Sequence, residues 1–248
     1  MIKVLNLSKS FGQQRVLDDI TLEIPKGQII ALLGESGTGK SVFLKTLMGL
    51  MFPDKGSVFI DDKDITNLKE EELLKIRKHM GYLFQEGALY DFMNVFENIA
   101  FPIEEHTSFK QDKIDHEVSK ILKWVDLKGF EDRYPSELSG GMKKRVGLAR
   151  AVALKANILL CDEPTSGLDP IRSRDISALI LDVSKAMNAT TIITSHDIDN
   201  ALSIADRVLL LKNGKIIIDA SPKQVYKSKD PFVKSFISKE KVGVVSDG

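Results

Sequence analysis

Three places in the 248-residue chain set out side chains that could do chemistry together. The first is the octapeptide Gly34-Glu35-Ser36-Gly37-Thr38-Gly39-Lys40-Ser41, which meets the pattern G-x-x-x-x-G-K-[ST] at each fixed position. Glycines let the backbone curl so that successive N–H groups point inward, and a helix that follows adds the partial positive charge of its N-terminus. A polyphosphate would meet donors and field together. Lys40 would reach its β- and γ-phosphates, and the Ser41 hydroxyl would hold Mg²⁺. The second place is Asp162-Glu163, two carboxylates that follow the apolar run Ile158-Leu159-Leu160-Cys161. Asp162 is placed to assist Mg²⁺ binding, and Glu163 to act as general base on a water aimed at the γ-phosphate. An acidic pair at a strand end is often only a helix-capping turn; beside a phosphate loop the catalytic reading prevails. The third is His196. Of His79, His106, His116 and His196, it alone sits at the C-terminal end of a strand. A lone histidine there is more often structural.

These residues need particular elements to position them. Residues 28–33 are a short apolar run of the kind a buried parallel strand needs, and 42–48 have helical character with no breaker before Gly49. Strand, glycine loop, helix is the setting the phosphate motif requires. Upstream, residues 2–33 read as β-rich segments with turns at Phe11-Gly12 and Pro25-Lys26-Gly27, and Leu22 and Ile24 alternate with polar neighbours. The Phe11 ring could stack on adenine, although from its position alone core packing is the stronger alternative. Downstream, Pro53-Asp54-Lys55-Gly56 turns into a strand at 57–61, a charged helix covers 70–78, and a strand at 80–84 ends at Gln85. From Ala88 to Lys128 helical patterns replace strands, with helices expected at 93–100 and 113–125 and Trp124 packed between them. Leu138-Ser139-Gly140-Gly141-Met142 opens a helix at 143–154, and its paired glycine makes a second anion-receptive N-terminus, a stretch that alone decides nothing. A tight loop at 165–170 leads to a helix at 171–187, then a β-branched strand at 190–194. Asn213-Gly214 between two apolar runs signals a hairpin. Phe232, Val233, Phe236 and Ile237 fall at helical spacing ahead of a polar tail.

Lys plus Arg and Asp plus Glu both number 35, so nothing electrostatic argues for nucleic acid or for direct attachment to an anionic membrane. The single Cys161 excludes an internal disulfide and suits a reducing compartment. No stretch approaches the ~20 apolar residues that span a bilayer, and Met1-Ile2-Lys3-Val4-Leu5 reads as strand rather than leader. The expectation is a cytosolic protein whose membrane role, if it has one, comes through a partner.

Taken in order, these pieces resemble the nucleotide-binding subunit of an ATP-binding-cassette (ABC) transporter along essentially the whole chain. Gly34 to Ser41 matches the Walker A loop, residues 158–162 the Walker B strand with Glu163 beside it, and Gln85 the Q-loop. Ser139-Gly140-Gly141 matches the signature, Ser166-Gly167-Leu168-Asp169 the D-loop, His196 the switch histidine, and Phe11 the adenine-stacking aromatic, where Tyr is commoner. The resemblance implies an α/β fold: a phosphate-loop NTPase core with a mixed, largely parallel sheet, an N-terminal antiparallel β subdomain and an inserted helical subdomain. It divides one domain into a core of about 1–87 and 156–220, a lobe of about 88–155 and a tail of 221–248.

It further implies ATP and Mg²⁺ as cofactors, with catalytic roles for Glu163, His196 and Gln85. The metal would be held by Ser41, Gln85 and Asp162. The nucleotide would be held by Phe11, the octapeptide including Glu35, and Ser139, Gly140, Gly141 and Asp169. In such families two copies pair head to tail, each signature closing over the other's ATP, and a permease binds after the Q-loop. Here the groove would lie around Phe92, Met93 and Phe96. Met142 in place of the common Gln, together with Phe84-Gln85-Glu86-Gly87-Ala88-Leu89, looks like the Mla/Mce-type ATPases that power lipid movement between bacterial membranes. That likeness implies a homodimer on the cytoplasmic face of the inner membrane, held there by permease subunits, with a lipid-binding Mce-type partner. The alternatives are the ATPase of a small-solute importer and a mechanical signalling module. Glu35, beside the phosphates, must point to solvent.

Overall fold

A computed structural model describes residues 1–230, 233 and 234. Alternating burial along the first residues builds two antiparallel strands, β1 (Ile2–Phe11) and β2 (Gln14–Ile24). There follow β3 (Ile29–Leu33), α1 (Lys40–Leu47), β4 (Lys55–Ile60), β5 (Lys63–Asp64), α2 (Glu70–Arg77) and β6 (Met80–Leu83). The helical region holds α3 (Val95–His106), α4 (Gln111–Trp124), a 3-10 turn at Pro135–Glu137 and α5 (Gly140–Val152). The chain returns through β7 (Ile158–Asp162), α6 (Pro170–Met187), β8 (Thr190–Ser195), α7 (Ile198–Ile204), β9 (Arg207–Lys212), β10 (Lys215–Ala220) and α8 (Pro222–Tyr226).

Two sheets result. One is antiparallel, in the order β2-β1-β4-β5. The other runs β10-β9-β3-β8-β7-β6 and is parallel except for β10, which pairs antiparallel with β9 through the expected Asn213-Gly214 turn. Strands β3, β6, β7 and β8 are buried at every residue, as parallel strands covered on both faces must be. Their C-terminal ends therefore share one edge: Leu33 lies opposite Ser195, Asp162 opposite Thr194, and Leu83 opposite Cys161. Open parallel sheets bind ligands at that edge.

The sheets are joined by one apolar cluster in which Phe43, Leu44 and Leu47 of α1 meet Ile2, Leu17, Val58, Leu160 and Ile192. A second cluster belongs to the helical region, where Val95, Ile99 and Ile103 meet Ile114, Val118, Leu122 and Val146. Asn94 caps α3 by accepting from the Glu97 N–H while the Glu97 carboxylate accepts from the Asn94 N–H, so the helix starts at Val95 rather than 93. It runs on to His106 with Pro102 inside it. Trp124 does not pack between α3 and α4; it joins the cluster of Leu148, Val152, Ile176 and Ile180 on the α5–α6 side. Among the described residues, no helix is long and apolar enough to cross a membrane. Val233 is buried with Ala31 and Leu210, while Phe232, Phe236 and Ile237 lie outside the described residues.

Helix α5 lies so close on β6 that a β-carbon at Gly81 would sit 2.3 Å from the Ala151 carbonyl oxygen. Gly81→Ala must push the two apart and should destabilise the fold by about 1–3 kcal/mol. For a chain of this length each kcal/mol is roughly 2–4 °C of melting temperature, measurable by thermal unfolding followed by circular dichroism.

Candidate active site

The loop between β3 and α1 is shaped by close packing. Gly39, the residue before α1, has φ 104°, and a β-carbon there would meet Val16 Cγ1 at 2.7 Å and the Val16 carbonyl oxygen at 2.9 Å. Only glycine fits, and it brings the α1 N-terminus up to a cleft of about 570 Å³. Lys40, 4% exposed, donates to the carbonyl oxygens of Gly34 at 2.8 Å and Glu35 at 3.0 Å, and lies 3.4 Å from Glu163 Oε1. Burial pulls its ammonium below the usual lysine range, against the opposing pull of Glu163 and Asp162. Glu35 itself is exposed, as required of a carboxylate in this loop, and turns only its backbone carbonyl to Lys40.

Across the cleft, Asp162 is buried, with hydroxyls on both of its oxygens. Oδ1 accepts from Ser41 Oγ at 2.8 Å and Thr194 Oγ1 at 3.0 Å; Oδ2 accepts from Tyr82 Oη at 3.0 Å. The Glu163 N–H donates to Thr194 Oγ1 at 2.8 Å, and Glu163 adopts φ 46°. That left-handed backbone costs on the order of 1–3 kcal/mol in a non-glycine residue and turns the carboxylate out of the strand into the cleft. There its Oε2 lies 2.7 Å from His196 Nε2. The expected residues thus converge: a buried cation, a carboxylate it faces, a histidine on that carboxylate, and a hydroxyl–carboxylate pair. Sequence reading missed Tyr82 and Thr194. Thr194 was visible as the residue before the Ser195-His196 turn, but only the β7–β8 register aims it at Asp162.

Gln85 and Phe11 also line the cleft, and Gln85 Nε2 donates to Ser166 Oγ at 3.3 Å. Phe11 is 48% exposed at the end of β1, so it does not pack in the core. Ser139, Gly140, Gly141 and Asp169 are not brought to this cleft within the chain. Ser139 caps α5 from an exposed position, accepting from the Met142 N–H at 3.4 Å. Asp169 caps α6, accepting from the N–H groups of Ile171 at 3.1 Å and Arg172 at 3.0 Å.

Residues 17–166 match the family described as "ABC transporter". The chain belongs to the ABC transporter family. It is 40% identical to the "Intermembrane phospholipid transport system ATP-binding protein MlaF" of Haemophilus influenzae, over 99% of this chain and 93% of that one. It is 44% identical to the "Probable ribonucleotide transport ATP-binding protein mkl" of Mycobacterium leprae, over 98% of this chain and 70% of that one. A dimeric, post-hydrolysis ATP-binding cassette bound to ADP and Pi superposes with TM-score 0.83 at 30% identity, over 90% of this chain and 99% of that one. The cassette cbiO1 of Clostridium perfringens, part of the transporter complex cbiONQ, gives TM-score 0.84 at 29% identity, over 98% and 97%.

This ABC ATPase binds and hydrolyses ATP, and its phosphate loop carries the clearest test. Lys40→Ala deletes the buried ammonium and leaves the loop backbone in place. Loss of a charged hydrogen bond predicts ATP affinity weaker by about tenfold or more in isothermal calorimetry. An unchanged dissociation constant would take the loop out of nucleotide binding.

Proposed function

We propose that this ABC ATPase drives phospholipid movement across the bacterial envelope as one of two identical subunits beneath a membrane permease. The reading is carried by the likeness to the phospholipid-transport ATP-binding protein, which runs nearly end to end in both chains. Met142 and the 84–89 stretch support it. The chain would then sit peripherally on the cytoplasmic face of the inner membrane, with a lipid-binding Mce-type partner beyond it. The relatives named for ribonucleotide transport favour a second reading, the import of a small solute.

Ser41 Oγ and Asp162 Oδ1, 2.8 Å apart, are hard oxygen donors of the kind Mg²⁺ prefers, and Gln85 offers a third from the cleft wall. The ion would supply charge neutralisation of the β- and γ-phosphates. Lys40 binds the same phosphates, Glu163 takes the proton of the attacking water, and His196 holds the Glu163 carboxylate. Ser139, Gly140 and Gly141 of a second copy would close over the γ-phosphate with the positive end of α5. Asp169 would lie at that junction. Glu163→Gln should bind ATP normally yet lose about 10²–10⁴ in hydrolysis rate. It should accumulate as an ATP-dependent dimer on size exclusion; turnover like the unmodified protein would sink the general-base role.

For the permease, a groove of about 430 Å³ along β6 is lined by Arg77, Phe84, Tyr90, Phe101, His106 and Arg150. Buried Asn98 fixes the adjoining 90–94 turn, accepting from the Tyr90 N–H and donating to the Tyr90, Met93 and Asn94 carbonyls. A short cytoplasmic helix of the permease, apolar with an acidic side chain for the basic rim, fits that lining. None of the three residues expected here lines that groove: Phe96 packs against the helical core, Met93 is half-buried, and Phe92 is 74% exposed next to the groove residue Tyr90. Phe92→Asp should therefore fold and bind ATP but fail to co-purify with the permease, and cells carrying it should match the deletion strain. A deletion that abolished uptake of a water-soluble nutrient while leaving membrane lipid distribution untouched would select the second reading.

A further inference from the structure

Tyr82 belongs to two surfaces at once. It lies in β6, the edge strand of the parallel sheet, and its side chain shares a face with Leu160 and Asp162 of β7. Its phenol oxygen is 3.0 Å from Asp162 Oδ2, the oxygen that neither Ser41 nor Thr194 reaches. At the other side of the ring, Phe84 packs against it with centroids 4.4 Å apart, and both residues line the groove along β6. Phe84 in turn precedes Gln85 of the cleft.

We propose that Tyr82 is a positioning residue that ties the occupant of the β6 groove to the orientation of the Asp162 carboxylate, and through it to the metal–nucleotide hold of the site. The groove half of this rests on the permease-docking reading; the hydrogen-bond half does not. The physical reason is close packing. Aromatic rings are stiff, and interiors without voids pass displacement on rather than absorb it. A segment that presses Phe84 must move the Tyr82 ring, and the hydroxyl moves with it. Of the three hydroxyls on Asp162, those of Ser41 and Thr194 sit on α1 and β8, away from the groove. Tyr82 is the one of them whose position a groove occupant would change.

Tyr82→Phe deletes one oxygen and keeps the ring. In the isolated full chain, Mn²⁺ affinity in the presence of ADP, read by electron paramagnetic resonance, should fall about three- to tenfold, the worth of one such hydrogen bond. Phe84→Leu should weaken it in the same direction, and the double variant should do no more than the larger single effect, because both act through one hydroxyl. In the reconstituted complex, Tyr82→Phe should lose the change in ATPase rate that the permease imposes. Two results would overturn the proposal: metal affinity unchanged while only the melting temperature falls, which is a structural tyrosine, or metal affinity lowered with the permease response intact. If Phe92→Asp still co-purifies with the permease, the docking reading and the relay fall together. An unaltered metal affinity in Tyr82→Phe fells the relay alone.

Discussion

A carboxylate buried like Asp162 is expensive unless donors surround it. Its three hydroxyls come from three elements far apart in sequence: Ser41 from α1, Tyr82 from β6 and Thr194 from β8. The observed order delivers all three: β7 lies between β6 and β8, and β3 lies beyond β8, so the loop into α1 comes over the same edge. The antiparallel sheet packs on α1 in one apolar cluster with that edge's strands.

What could be read from sequence divides along the same line. The octapeptide, the buried runs ahead of it and ahead of Asp162, and the strand before His196 are local patterns, and local patterns carry their own context. Their meeting at one edge also follows, because parallel strands end together. Tyr82 and Thr194 were not legible as site residues: each is an ordinary β-strand residue until the register with β7 aims its hydroxyl. The resemblance places Phe92, Met93 and Phe96 in one groove, as the stretch that follows the Q-loop. The cap formed by Asn94 and Glu97 sets the phase of α3, which turns Phe96 into the helical core and leaves Phe92 outside. Trp124 was misplaced for a related reason, since an aromatic at the end of a helix faces whichever neighbour the following turn brings up. Phe11 reversed its local odds: the strand ends there, and its ring stands at the cleft.

Helix α5 links the parts that sequence treats separately. Gly140 at its exposed start abuts Leu168, whose Cδ2 would lie 3.6 Å from a β-carbon on Gly140. One face in the middle rests on β6 and the Q-loop, where a β-carbon at Gly147 would come within 3.2 Å of Gly87 Cα. Near its end, Arg150 donates to the Gly87 carbonyl at 2.9 Å and sits 5.4 Å over the Tyr90 ring in the groove. The stretches matched to the signature and the Q-loop, and the groove, therefore share one element of 13 residues.

The lysine and the glutamate of the cleft are best understood as sharing one set of charges. Lys40 has three N–H bonds and three oxygens near them: two loop carbonyls and Glu163 Oε1 at 3.4 Å. The other oxygen of Glu163 belongs to His196. A polyphosphate brings several negatively charged oxygens to the same ammonium, and these outcompete both a neutral carbonyl and a single carboxylate oxygen held at that distance. In the proposed mechanism Lys40 would turn to the phosphates, and Glu163 would keep His196 and gain a side open to water. Binding of the nucleotide would thereby prepare the base that acts on it. The backbone at Glu163, with φ 46° and its N–H on Thr194 Oγ1, is anchored to β8 and not to the lysine, so in the proposed role the carboxylate would keep its place as Lys40 turned.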